Sequence, residues 1–220
     1  MMNSSNLWVL ISMIFLTYFL VSWVYKRLEV VNLERALIVT NGIRLLNLKH
    51  SLGIVLFGVL FYLLVPKFHY LINVIKIPRL QILIPFIALL VLCAWISRFS
   101  ANRTNSFSES YRNFSEAWSY FFIRFAFLLC YEFFFRGVLF FALLEQFDLV
   151  LAIIYCTIAY VFIHLFDSKK EILGAIPFGV VLCLITYETR SVWYAFVLHL
   201  TLSAVYEISI FYYQTLNKQL

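Results

Sequence analysis

Three ionisable side chains of this chain lie in long apolar stretches, where an uncompensated charge is unfavourable. Glu132 stands in the aromatic run Cys130–Gly137, and burying such a charge at the centre of a bilayer costs about 2.5–3.5 kcal/mol on insertion scales. His164 and His199 follow in similar surroundings. Carboxylate and imidazole groups that share a dry cavity can take a proton from water and stabilise an oxyanion. The three residues are therefore candidates for a hydrolytic site.

Arg136 is the nearest candidate partner of Glu132. The two residues are four positions apart, so on a helix their side chains lie on one face, one turn from each other. A buried ion pair of this kind can be purely structural and hold helices together without any catalytic role. The sequence leaves the structural and the functional interpretation of this pair open.

Further polar residues accompany the two histidines. Asp167 follows His164 by three residues and can orient its ring. On the last predicted span, His199, Ser203 and Glu207 recur every fourth residue and share one face of the helix. Because such a polar stripe avoids lipid, we expect it to face the interior of a bundle or a water-filled cavity.

The composition predicts that membrane-spanning helices position these residues. The 220-residue chain is 64% hydrophobic and 13% charged, and its mean hydropathy is +0.92; soluble domains are about 45–50% apolar and about 25% charged. Its apolar segments are continuous rather than alternating, which argues against a transmembrane β-barrel. We therefore predict an all-α fold, a polytopic transmembrane bundle of about seven or eight spans that forms one membrane domain, 1–220. The predicted spans are 7–25, 51–66, 81–98, 118–145, 147–166, 171–187 and 191–213.

The charges between the spans predict how the chain lies in a cell membrane. Most basic residues cluster in 26–50, in 98–116, at 169–170 and at 218. In a seven-span arrangement these sites share one side, which the positive-inside rule makes cytoplasmic, with the amino terminus outside. The net charge of +6 indicates membrane lipids as partners rather than nucleic acid. Segment 26–50 is too charged to span, so we expect an interfacial amphipathic helix or a connector packed on the spans.

The depths of the candidate residues in the membrane predict that two of them lie apart. If the fourth span enters the membrane at residue 118, Glu132 lies about 21 Å along the helix from that end. His164, in contrast, lies near the inner end of the fifth span. The two side chains can then meet only if segment 107–120 lies along the interface and the span begins later, or if the seven-span arrangement is wrong near Glu132. The aromatic and charged composition of this segment favours that arrangement.

Three short motifs carry a resemblance to a known family. The motifs are Tyr131–Arg136, Tyr160–His164 and His199–Ser203, with 32 residues from the glutamate to the first histidine and 35 between the histidines. Together they resemble the CPBP family of intramembrane proteases, which comprises CAAX-processing and bacteriocin-processing (Abi) members. That family has Glu-Glu-x-x-x-Arg, Phe-x-x-x-His and His-x-x-x-Asn in this order. The resemblance covers 118–207, which we take as the core.

The resemblance implies a membrane-embedded endopeptidase that hydrolyses a peptide bond in a peptide or membrane-protein substrate, without a cofactor. Tyr131 and Ser203 depart from the family, which has glutamate and asparagine at these positions. Because tyrosine has a reference pKa near 10, it is a poor base at neutral pH, and the base role would rest on Glu132. The roles carried over are water activation by Glu132 and His164, support of Glu132 by Arg136, polarisation of the carbonyl by His199 and Ser203, and a hydrogen bond from Tyr131.

Three alternatives stay open on the sequence. A catalytically weakened member of the family could act as a scaffold or as an immunity or regulatory protein. A transporter or channel subunit could use the His199–Ser203–Glu207 stripe as a polar path, although span pairs broken by Gly or Pro are few. A zinc ion held by Glu132, His164 and His199 suits that metal's ligand preference, although no His-Glu-x-x-His motif occurs.

Overall fold

The protein is described by a computed structural model that covers residues 3–73, 77–102 and 114–216. All regular structure in these residues is helical and no strand occurs among them, so the predicted all-α class is confirmed. Within these ranges, seven helices are long and apolar enough to cross a membrane, as predicted. Spans 1 to 7, in chain order, are Ser4–Arg27, Gly42–Leu64, Leu80–Ala101, Trp118–Leu144, Leu149–Phe166, Lys169–Thr189 and Val192–Ile210.

The helices that make up these spans include irregular turns and short connecting pieces. Spans 2 and 4 each contain a π-helical segment, and span 5 ends in a 3₁₀ turn. The helical segments are Ser4–Arg27, Leu33–Ala36, Gly42–Gly53, Ile54–Val59 (π), Leu60–Leu64, Pro66–Phe68 (3₁₀), Tyr70–Asn73, Leu80–Asn102, Phe114–Glu132, Phe133–Leu139 (π), Phe140–Leu144, Leu149–Ile163, His164–Phe166 (3₁₀), Lys169–Thr189 and Val192–Leu216.

Span 2 begins earlier than predicted. The prediction placed 26–50 outside the membrane and started the span at 51, but the helix already begins at Gly42. Two of its polar residues, Lys49 and His50, are covered by neighbouring helices: Lys49 is 8% exposed, with its ammonium 5.9 Å from the ring centroid of Tyr25. The His50 ring stacks on Phe127 at 4.8 Å. The charge of segment 26–50 therefore predicted a later start of the span than the structure has, because Lys49 and His50 are packed inside the bundle.

Span 4 is the central helix of the bundle. It is 83% buried over its apolar stretch, whereas the other six spans are 17–39% buried. Its π-helical part, Phe133–Leu139, is buried throughout and carries consecutive aromatic rings into the core. Span 7 packs against spans 3, 4 and 6, and span 5 packs against span 6. This arrangement places one face of span 4 opposite the histidines of spans 5 and 7.

The four cysteines are free thiols that lie mostly inside the bundle. All four are free, and Cys93, Cys156 and Cys183 are buried while Cys130 is partly buried. The Cys156 thiol donates to the Phe135 carbonyl at 3.3 Å. The predicted orientation of the chain and its single-domain organisation stay predictions.

Candidate active site

Glu132 lies at the centre of the bundle and contacts two of the other candidates. Its side chain is fully buried, and its Oε1 lies 2.5 Å from Nδ1 of His199, which span 7 contributes. Its Oε2 lies 3.4 Å from Nε of Arg136, four residues later on span 4. The carboxylate therefore joins spans 4 and 7 and has a cation within its own helix.

Arg136 is fully buried as well, beside Glu132 and an aromatic ring. Its guanidinium carbon lies 4.0 Å from the ring centroid of Tyr160 on span 5, a distance at which a cation is attracted to the face of the ring. Within the described part of the chain, neither the Arg136 nitrogens nor Oε2 of Glu132 make a hydrogen bond that meets standard geometry. Buried polar atoms in this situation commonly bind ordered water.

His164 begins the 3₁₀ turn at the end of span 5 and has two polar neighbours. Its Nδ1 lies 2.7 Å from Oδ2 of Asp167, and its Nε2 lies 3.5 Å from the Tyr131 hydroxyl. The side chain is 21% exposed, whereas that of Glu132 is 0% exposed. His164 is thus the candidate residue that is most accessible from outside the bundle.

Two tyrosine rings bring the histidines into one site. The Tyr131 ring centroid lies 6.4 Å from that of His164 and 5.9 Å from that of His199. The Tyr160 centroid lies 4.7 Å and 6.4 Å from the same two rings. Tyr131, next to Glu132 on span 4, thus reaches both histidines, whereas Glu132 itself is bonded to His199 and His164 is bonded to Asp167. Of segment 107–120, residues 107–113 lie outside the described residues, and 114–120 are helical and continuous with span 4.

Ser203 lies in a second polar cluster, next to the first along span 7. Its hydroxyl donates to Oε1 of Glu207 at 3.1 Å and accepts from Nη2 of Arg124 at 3.0 Å. Arg124 also pairs with Glu207 through Nε at 3.1 Å, and Tyr120 donates to the other carboxylate oxygen at 3.1 Å. His199, Ser203 and Glu207 are only 7–9% exposed, so the stripe faces the interior of the bundle, as predicted.

Arg124 and Tyr120 are polar contributors that the sequence analysis did not single out. Arg124 stands eight residues, and Tyr120 twelve residues, before Glu132. Each step of four residues turns an α-helix by about 40°, so the spacing places Arg124 about 80° from Glu132 and gave only a weak signal for Tyr120. The result is a polar seam between spans 4 and 7 that runs from Glu132 to Tyr120.

The zinc alternative has no supporting ligand set in the described ranges. No three His, Cys, Asp or Glu side chains among these residues converge as a metal site requires. Glu132 and His199 are bonded to each other, while His164 is bonded to Asp167. The three proposed ligands therefore belong to two separate hydrogen-bonded pairs and do not surround one ion position.

A comparison with protein families identifies the segment that holds this site. Residues 113–205 match the family model of type II CAAX prenyl endopeptidases, described as Rce1-like. This segment is similar to the Rce1-like family. The match contains all three motifs and confirms the CAAX-protease resemblance predicted from the sequence. Comparisons with curated proteins and with solved structures give no match.

The Rce1-like assignment and the fold agree on the class of protein. The similarity to CAAX prenyl endopeptidases and the seven helices of the described ranges that are long and apolar enough to span identify this chain as a multi-pass membrane protein. The matched family is described as one of prenyl endopeptidases, which act on peptide bonds. The bacteriocin-processing branch of the resemblance stays a prediction.

Proposed function

We propose that this chain is an intramembrane endopeptidase of the CAAX type, which hydrolyses a peptide bond with water activated inside the helix bundle. The observation that carries the proposal is the buried hydrogen bond between Glu132 and His199 within the Rce1-like segment. A charge in that position is unfavourable unless it has a partner or a function. Here the ring of the bonded histidine shares the neighbours Tyr131 and Tyr160 with a second histidine, His164, which can serve as a general base.

In this proposal His164 takes the proton from water. Its Nδ1 is bonded to Asp167, which leaves Nε2, the atom next to the Tyr131 hydroxyl, as the basic nitrogen. The expectation that Glu132 works directly on the same water as His164 is less favoured, because Oε1 of Glu132 contacts His199 instead. Glu132 then acts through His199, and Arg136 keeps it ionised and in place.

His199 is proposed to polarise the scissile carbonyl. For Nε2 to donate a hydrogen bond, the Glu132–His199 pair must hold two protons, one between Oε1 and Nδ1 and one on Nε2. The positive guanidinium of Arg136 adds a fixed charge near the developing oxyanion, and such charges are most effective in a site from which water is excluded. Tyr131 contributes the second donor through its hydroxyl.

Ser203 has a supporting role in the proposal. Its hydroxyl already donates to Glu207 and accepts from Arg124, so it reaches a substrate carbonyl only after exchanging that bond. It stands one turn from His199 on the same helix, and its bonds fix the register of span 7 against span 4. The asparagine-like donor role therefore passes to Tyr131.

The test is a cleavage assay with purified protein in detergent or nanodiscs. The probes are quenched fluorescent peptides that end in a Cys-aliphatic-aliphatic-X sequence, with and without a prenyl group on the cysteine. We expect Glu132→Ala, His164→Ala and His199→Ala each to lower kcat/KM by on the order of 10²-fold or more, the usual contribution of a positioned acid or base. Unchanged cleavage by all three variants would contradict the proposal.

One observation favours a second candidate, a family member that has lost catalysis and acts as a scaffold or regulatory protein. Glu132, Arg136 and His199 compensate one another's charge, and Ser203 is hydrogen-bonded to Arg124. These contacts can also serve only to hold spans 4 and 7 together. In that case Glu132→Gln would lower the stability of the protein. Peptide cleavage by the unaltered protein and by variants of the two histidines would be no greater than that of a preparation that lacks the protein.

A further inference from the structure

The turn between spans 5 and 6 holds a second carboxylate–imidazole pair that no family motif includes. His164 and Asp167 are three residues apart, and the 3₁₀ turn His164–Phe166 places such residues almost directly above each other. The side chains meet at 2.7 Å, and the Asp167 backbone N–H donates to the His164 carbonyl at 2.9 Å. The carboxylate is thus tied to the histidine through both its side chain and its backbone.

The surrounding residues fix this turn on both sides. The Phe166 ring packs against Phe19 of span 1, with 4.8 Å between the centroids. Immediately after Asp167, Ser168 opens span 6 with a capping box, in which its backbone N–H donates to Glu171 at 2.7 Å and its hydroxyl accepts from the Glu171 N–H at 3.3 Å. Asp167 therefore has little freedom to leave His164.

Glu132, the other carboxylate near His164, already has two partners. Glu132 uses one oxygen for His199 and faces Arg136 with the other, and the position before it is Tyr131, which cannot serve as a carboxylate. Two further charged groups interact electrostatically with this pair: Lys49 with Asp167, and Glu132 with His164. Among the described residues, Asp167 is the carboxylate in direct contact with His164.

We infer that Asp167 is the positioning residue of His164, and that it takes over in this chain the carboxylate function that tyrosine at position 131 removes from the first motif. The inference rests on the proposed function. Asp167 accepts the Nδ1–H hydrogen bond, which holds the ring in the tautomer whose Nε2 carries a lone pair.

The proton balance of this arrangement closes within the site. As the water oxygen bonds to the scissile carbon, one water proton moves to Nε2 and the carbonyl becomes an oxyanion. The imidazolium, stabilised by the Asp167 carboxylate, then passes that proton to the leaving amine as the carbon–nitrogen bond breaks and the carbonyl re-forms. The remaining water proton leaves with the new carboxylic acid, and Asp167 stays ionised throughout.

The kinetic test compares two aspartates at opposite ends of span 5. Asp167→Asn keeps the shape of the side chain but removes its charge, and we expect kcat for the prenylated peptide to fall by on the order of 10²-fold with KM nearly unchanged. Asp148→Asn is the matched control, because Asp148 caps the start of span 5 through a 3.0 Å bond to the Leu151 N–H and asparagine caps equally well. We expect the control to keep kcat within about twofold of the unaltered protein.

A rescue experiment separates positioning from mere structural support. If Asp167 replaces a missing glutamate, a carboxylate at position 131 should compensate for its loss. The kcat of the double variant Tyr131→Glu, Asp167→Asn should then be at least about tenfold higher than that of Asp167→Asn. Asp167→Glu should retain more activity than Asp167→Asn. Equal kcat for Asp167→Asn and the unaltered protein, or no recovery in the double variant, would overturn the inference.

A spectroscopic readout keeps the inference testable without any turnover. Nitrogen-15 NMR of histidine-labelled protein, with the His164 signal assigned by its loss in His164→Gln, should show Nδ1 protonated in the unaltered protein and Nε2 protonated in Asp167→Asn. The same tautomer in both proteins would refute the role of Asp167. If His164→Ala abolishes cleavage but Asp167→Asn does not, only this inference fails; if neither changes cleavage, the proposed function fails as well.

Discussion

Replacing Arg136 by methionine removes the cation that faces Glu132 and leaves the carboxylate with His199 alone. Nε of Arg136 lies 3.4 Å from Oε2 of Glu132, and both side chains are fully buried. At that distance and an effective dielectric constant of about 20, the gross attraction is about 5 kcal/mol. Breaking one partner of a buried pair commonly costs about 3–5 kcal/mol, because the other charge stays buried.

This loss should be visible in thermal unfolding of the purified protein in detergent. For a chain of this size, about 3–5 kcal/mol corresponds to a Tm decrease of roughly 6–20 °C. The matched control is the double variant Glu132→Gln, Arg136→Met, in which no charge remains unpaired, and we expect it to recover most of the lost stability. The double variant should nevertheless be inactive, because His199 has lost its carboxylate.

The outcome distinguishes a structural from a catalytic role of this pair. A Tm decrease of less than about 2 °C for Arg136→Met, or a double variant no more stable than the single one, would refute the electrostatic argument. A stable and fully active double variant would show that Glu132 has no catalytic function at all.

Further predictions concern the second polar cluster, the connector before span 2 and metal dependence. Arg124→Met should lower Tm because Glu207 is left buried without its cation, and the double variant Arg124→Met, Glu207→Met should restore Tm in the same assay; additive losses would contradict the pairing. Burial, and secondarily the nearby charge of Glu171, raise the pKa of Glu34. The folded state therefore binds its proton more tightly than the unfolded state, and stability falls as pH rises from the unfolded towards the folded pKa. Glu34→Gln should accordingly be more stable than the unaltered protein at pH 7, and this gain should shrink as the pH is lowered towards 4 in urea titrations; a gain that is independent of pH would refute it. Peptide cleavage should be unaffected by a chelator such as EDTA, since the residues proposed to act form two pairs rather than a ligand set; activity lost on chelation and restored by zinc would refute this.

Helix class and span number follow from the sequence because they depend on the length of apolar runs. The start of span 2 could not be predicted from the sequence, because Lys49 and His50 are polar residues that a hydropathy pattern places outside a membrane. Tyr25 and Phe127 cover them in the bundle, and these residues are distant along the chain. A hydropathy argument counts charges but contains no information about which neighbours shield them.

The sequence by itself determined the pairs that lie within one helical turn. Glu132 with Arg136, and His164 with Asp167, are set by spacings of four and three residues, and helix geometry turns such spacings into contacts. The burial of the His199–Ser203–Glu207 stripe was predictable for the same reason, because periodicity shows which residues share a face.

Only the tertiary structure decided which histidine each carboxylate meets. Glu132 and His199 are 67 residues apart, and their contact depends on how the side chains of spans 4 and 7 pack together. Interior packing is specific to the shapes of all neighbouring groups at once, so no local pattern could assign Glu132 to His199 rather than to His164. Packing between spans 4 and 5 likewise places the Tyr131 hydroxyl 3.5 Å from Nε2 of His164, although the two residues are 33 positions apart along the chain.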